Sequence, residues 1–158
     1  MKYWFFIAAL FFVPSLAVAA HPSFNGMMAL ETGHSVYVEY KASRDQKATI
    51  ILLNGLTNRV GDWKAFSNQL EVAGYGVVKF DFVGQGRTLV ESAGVDAAIP
   101  VAAQVADVRA VLSKLEIAAP FNIVGFSYGG GIAQGFASTY PKDIAALILL
   151  ATFTESIE

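Results

Sequence analysis

"VGFSYGGGIAQGFA", residues 124–137, sets a serine between two glycines and follows them with two more. The same letters serve two chemistries. Gly125, Ser127 and Gly129 fit G-x-S-x-G, in which a serine hydroxyl is presented on a sharp strand-to-helix turn. Gly125, Gly129 and Gly131 also fit a G-x-x-x-G-x-G dinucleotide pattern, in which a helix N-terminus receives a phosphate. Glycine and serine are common residues, so neither match decides by itself. Context does: "FNIVGF" (121–126) reads as a strand before the serine, and "GGIAQGFASTY" (130–140) as a helix after it. A turn that tight leaves no room for side chains at its flanks, which is why glycine is needed there.

Working outward, strand and helix alternate along the chain. "MMALETGHSVYVEYKA" predicts a hairpin around Thr32-Gly33, with Val36, Val38 and Tyr40 on the buried face and Tyr37 and Glu39 on the other. "ATIILLNG" reads as a central strand covered on both faces. Asp62 is expected to cap a helix with Trp63, Phe66, Leu70 and Ala73 on its apolar stripe, stopped by Gly74. "YGVVKFDF" is a further buried strand, and "VGQGRTLVESAGVDAA" reads as loop. After Pro100, a second amphipathic helix is marked by Val101, Val105, Val108, Leu112 and Leu115. "IAALILLAT" is the last strand. This alternation predicts an α/β fold: a mostly parallel sheet with helices on both faces and an N-terminal antiparallel hairpin.

The 158 residues suit one domain. The opening "MKYWFFIAALFFVPSLAVAA" combines Lys2, an apolar run, the Pro14 break and small residues at Ala17 and Ala19, the composition of a bacterial-type signal peptide over residues 1–20. Its apolar run is shorter than the roughly 20 residues a spanning helix needs. The expectation is export to the periplasm or the outside, no stable membrane span after cleavage, and a mature part of 21–158. No cysteine is present, which excludes disulfides and a lipid-modified N-terminus. A net charge of −2, with Lys and Arg scattered singly, offers no basic stripe for nucleic acid.

Four ordered stretches resemble the α/β-hydrolases. Besides the serine turn these are "LLNGLTNRVGDW", with Asn54 where a histidine is commoner, "DFVGQGRT", with Gln85 in place of a frequent histidine, and "YPKDIAALILLAT". The resemblance implies that Ser127 is the nucleophile, that the backbone N–H groups of Leu56 and Tyr128 form an oxyanion hole, and that Asp81 and Arg87 brace a loop. It implies a small ester-like substrate (carboxylic ester, thioester, lactone or amide) and no cofactor. Glu155 is a candidate acid, since some relatives carry one after this strand. The family's remaining two strands, any lid and the base are then not in this chain. No histidine follows Ser127; His21 and His34 are read as surface residues, away from the C-terminal edge of the central strands. That shortfall keeps open a secreted, non-catalytic binding protein. The dinucleotide reading has Glu155, 24 positions past Gly131, near where a ribose-binding acid is expected. Against it, such a fingerprint normally sits at the first strand of its sheet.

Overall fold

The structure is a computed structural model, and it describes residues 22–91 and 99–153. The expected signal peptide, the 92–98 part of the expected loop and Glu155 lie outside the described residues.

Six strands, β1 (Phe24–Ala29), β2 (Ser35–Lys41), β3 (Thr49–Leu53), β4 (Gly76–Asp81), β5 (Phe121–Phe126) and β6 (Ile144–Leu150), form one sheet in the order β1-β2-β4-β3-β5-β6. β1 and β2 are antiparallel, as β2 is to β4, while β4, β3, β5 and β6 run parallel. The helices are α1 (Lys64–Val72), α2 (Gly86–Glu91), α3 (Val101–Lys114) and α4 (Tyr128–Thr139). The α/β architecture and the central place of β3 agree with the sequence reading.

The core lies on the two faces of the sheet. On one, Val105, Val108 and Leu112 of α3 and Ile132 and Phe136 of α4 pack with Val38, Ile51, Leu53, Phe80 and Ile123. On the other, Leu52, Val77 and Val124 meet Trp63 and Leu70. β4 is buried along its whole length, as a strand covered from both sides must be.

Some local expectations are corrected. β1 starts at Phe24, three residues before the segment that predicts the hairpin, which opens at Met27. Tyr37 is buried despite its place in the alternation, because the Arg87 guanidinium lies 4.5 Å from its ring centroid and its hydroxyl donates to Asn25 Oδ1 at 2.5 Å. Asp62 does not cap α1. It lies in a 3-10 turn, Val60–Trp63, where its carboxylate accepts from the Arg59 N–H and the Asn58 amide, each at 3.0 Å. Phe66, on the expected apolar stripe, is 40% exposed. The buried position of α1 is Ser67, because Lys79 of β4 lies beneath it: a buried ammonium needs polar partners, and Lys79 finds the Ser67 hydroxyl at 3.3 Å and Glu39 at 3.0 Å. Finally, residues 86–91, read as loop, form the helix α2.

Candidate active site

The strands β3, β4 and β5 end on one edge of the sheet, where Leu53 pairs with both Phe80 and Gly125. Binding sites of open parallel sheets form at such an edge, outside the carboxyl ends of the strands. β2 begins there as well, since Tyr37 pairs with Asp81.

Ser127 is the single residue between β5 and α4, with φ 49° and ψ −115°. That backbone is disfavoured for any residue with a Cβ and persists only where surroundings over-determine it. Here they do. The Ser127 N–H donates to Leu150 O at 2.9 Å, and its carbonyl accepts from the Gly130 N–H at 2.9 Å and the Thr152 hydroxyl at 2.7 Å. The turn thus rests on the end of β6. The flanking glycines have a steric reason. A Cβ on Gly125 would lie 2.6 Å from Gly129 O and Gly130 Cα, and one on Gly129 would lie 2.5 Å from Asn54 O and closer still to Leu53 O. The half-buried Ser127 hydroxyl has no hydrogen-bond partner among the described residues. It stands at the N-terminus of α4, where the helix dipole favours negative charge.

The neighbouring turn follows β3. Asn54 is fully buried and links three elements: its amide donates to Phe80 O and Asp81 Oδ1, each at 3.0 Å, and its Oδ1 accepts from Trp63 Nε1 at 2.6 Å. Asp81 accepts further from the Val60 N–H at 2.7 Å and the Arg87 N–H at 2.9 Å. Burial pushes the Asp81 carboxyl above its usual range, against the lowering effect of these hydrogen bonds. Gly86, with φ +45°, lets the loop fold tightly over the carboxylate, leaving no space for a side chain. Asp81 and Arg87 therefore brace this edge, as the sequence reading has it.

Leu56 follows that turn with its side chain 62% exposed, and Tyr128 opens α4. Neither backbone N–H has an acceptor among the described residues. Two free donors at the ends of adjacent strands, beside a free hydroxyl, can receive charge that develops on a carbonyl oxygen.

His34 departs from expectation. It is half-buried, and its Nδ1 lies 2.8 Å from Asp107 Oδ2; Asp107, on α3, is buried and also accepts from the Thr32 hydroxyl at 2.6 Å. Because β2 starts at the edge where β4 ends, His34 is on the same edge as Ser127, not away from it. It remains displaced across β4 and β3 to the far side, about 14 Å in strand spacings. Sequence reasoning also missed Asn54 as a bridge and Gln104, whose Nε2 donates to the Tyr128 hydroxyl at 2.6 Å. A signal existed for Gln104 and Asp107: both interrupt the apolar stripe of α3 and are buried there. Among the described residues no group of three or more His, Cys, Asp or Glu could hold a metal ion, and no helix is long and apolar enough to cross a membrane.

The sequence model of the family described as "Serine aminopeptidase, S33" matches residues 44–157. The chain belongs to that family, within the α/β-hydrolases. Among curated proteins it is 28% identical over 103 residues to a Bacillus subtilis protein named for 2-succinyl-6-hydroxy-2,4-cyclohexadiene-1-carboxylate synthase activity, covering 65% of this chain and 36% of that protein. It is 37% identical over 76 residues to a "Serine hydrolase-like protein" of Danio rerio, covering 48% of this chain and 22% of that one. Solved structures with the same fold include a carboxylesterase of the thaumarchaeon Nitrososphaera gargenis, at TM-score 0.71 and 21% identity over 84% of this chain and 47% of that one. Another is MGS-M2, an α/β hydrolase from a Medee basin deep-sea metagenome, at TM-score 0.68 and 26% identity over 78% and 43%. The chain thus spans about a third or less of these curated relatives and under half of these structures. Membership of a hydrolase family decides the opening ambiguity: the glycines at 125, 129 and 131 belong to a hydrolase fold, and the dinucleotide reading is set aside.

Proposed function

We propose that this chain is the nucleophile-bearing part of an exported serine hydrolase that acts on a small ester-like substrate (carboxylic ester, thioester, lactone or amide) through an acyl-enzyme. Ser127 is the nucleophile, and the Leu56 and Tyr128 N–H groups are the oxyanion donors. The observation that carries this reading is the backbone of Ser127, held in a strained conformation by Leu150 O, the Gly130 N–H and the Thr152 hydroxyl, while its own hydroxyl has no partner among the described residues. Strain of that kind, kept at one residue of a strand-to-helix turn, is spent on presenting a side chain. The names of the family and of the Danio rerio relative support serine chemistry.

In the proposed reaction the Ser127 oxygen adds to the substrate carbonyl as a base takes its proton, and the oxyanion forms between the two N–H donors. Collapse expels the leaving alcohol, thiol or amine, which regains that proton, and water then releases the acid. The sequence places no histidine after Ser127, and His34 is engaged by Asp107 on the far side of β3 and β4. Because the chain spans only part of the relatives it matches, the base is assigned to residues outside it, and Glu155 remains the candidate acid within it. Export, to the periplasm or beyond, rests on the composition of residues 1–20, and the scattered charge argues against nucleic acid as a partner.

The test is covalent labelling of the gene product with a fluorophosphonate, the serine oxygen displacing fluoride. Labelling at Ser127, and its complete loss in Ser127→Ala, is the expected result. A wild-type protein that stays unlabelled would sink the proposal in favour of a non-catalytic binding protein.

A further inference from the structure

Gln104 lies among Val101, Val105 and Val108 on α3, and it is 5% exposed. A glutamine is an expensive occupant of such a place. Its Oε1 is buried without a hydrogen-bond partner among the described residues, and an orphaned buried acceptor carries a desolvation penalty that an apolar side chain would avoid. Its Nε2, by contrast, is fully used, donating to the Tyr128 hydroxyl at 2.6 Å and to Ile99 O at 3.2 Å.

Tyr128 is the residue directly after Ser127. Its ring meets Phe82, at the end of β4, edge to face, with centroids 6.4 Å apart and planes at 89°. As the first residue of α4, its N–H has no place in the helix ladder, so intrahelical bonding does not fix the direction in which that group points. The Tyr128 Cα bears both the side chain and the bond to that nitrogen, so a displacement of the side chain about Cα shifts the nitrogen with it. A hydroxyl tethered to Gln104, and a ring held by Phe82, therefore restrain the N–H from the far end of the side chain.

The geometry points to Gln104 as a positioning residue: through the Tyr128 hydroxyl it sets the direction of the Tyr128 N–H, and so the rate at which Ser127 is acylated. This rests on the assignment of Ser127 and the Tyr128 N–H given above, and it explains why a costly glutamine is kept on a buried stripe.

Gln104→Leu, Tyr128→Phe and the double variant test it in the full gene product. Leucine fills the site and removes the orphaned acceptor together with the two bonds of Nε2, so the opposing effects are expected to leave the melting temperature of Gln104→Leu within a few degrees of wild type. The fluorophosphonate labelling rate of Ser127, and kcat on a p-nitrophenyl ester, should nonetheless fall about tenfold in each single variant, less than the 10²–10³ that outright loss of a donor costs. KM should change by less than about twofold. The double variant should be no slower than the worse single one, because both changes cut the same tether. The Tyr128 amide resonance should move in both singles. Labelling at the wild-type rate, losses that multiply in the double variant, or an unmoved Tyr128 amide would each overturn the inference. If wild-type Ser127 takes no probe, it is the hydrolase assignment that fails. The acylation claim falls with it, and a moved amide then supports the tether alone.

Discussion

Asp81 shows how much one buried side chain organises. Its carboxylate receives the Val60 and Arg87 N–H groups and the Asn54 amide, and so holds the ends of β3 and β4 and the start of α2 in register. Burial raises its folded-state pKa above the ordinary 3.8, against those hydrogen bonds. The native state then binds this proton more tightly than the unfolded chain, so Asp81 lowers stability progressively as pH rises from 3.8 through its raised value. Asp81→Asn is expected to abolish that decline while losing at least one hydrogen bond, at a cost of about 1–3 kcal/mol at every pH. Melting temperatures of both proteins across that window check the sign. A variant whose profile parallels the wild type would contradict it.

At the scale of elements, the N-terminal hairpin is tied to α3 by the Asp107 cluster. Asp107 is buried, and its described partners are Thr32 and His34 from the turn between β1 and β2. His34→Ala leaves that carboxylate with the Thr32 hydroxyl, and a loss of about 1–3 kcal/mol in urea unfolding is expected. The labelling rate of Ser127 should not change, since two strands separate β2 from β5. A selective loss of labelling at wild-type stability would make His34 part of the chemistry instead. The same helix shows why elements were easier to read than their contacts: the valine and leucine spacing of α3 marks its buried stripe. The link from Gln104 to Tyr128 spans 24 positions and those from Asp107 to His34 and Thr32 span 73 and 75, where no local pattern reaches.

For the molecule as a whole, the conspicuous feature is β6. It pairs with β5 on one side, and among the described residues nothing pairs with the other. Its side chains are apolar throughout, yet Ile148 is 52% exposed and Leu149 and Leu150 are exposed on opposite faces beside it. An open edge with uncovered apolar faces is a template for association. Residues 21–158 expressed alone are therefore expected to elute as oligomers or aggregate in size-exclusion chromatography, and Ile148→Lys to shift them toward monomer. A monodisperse wild-type chain would show that the edge is covered. The same edge matters for the site, because Leu150 O and the Thr152 hydroxyl at the end of β6 hold the Ser127 backbone.

What the sequence determined by itself is what short-range physics controls. The period of apolar residues set strand and helix, Gly33 and Gly74 took the positive φ that their turns require, and the spacing of Gly125, Ser127 and Gly129 marked the strand-to-helix turn, because steric exclusion there acts between near neighbours. It misjudged segments whose environment is set from elsewhere. Tyr37 is buried by Arg87, Ser67 displaces an apolar contact because Lys79 lies under it, and α2 forms around the capture of the Arg87 N–H by Asp81. Only the tertiary structure decided that His34 shares an edge with Ser127 and is engaged by Asp107, and that Gln104 reaches Tyr128. Those facts depend on strand order and on which helix covers which face. Hydrogen bonds between residues distant in sequence form only once the packed sheet has brought their elements together, so no local pattern encodes them.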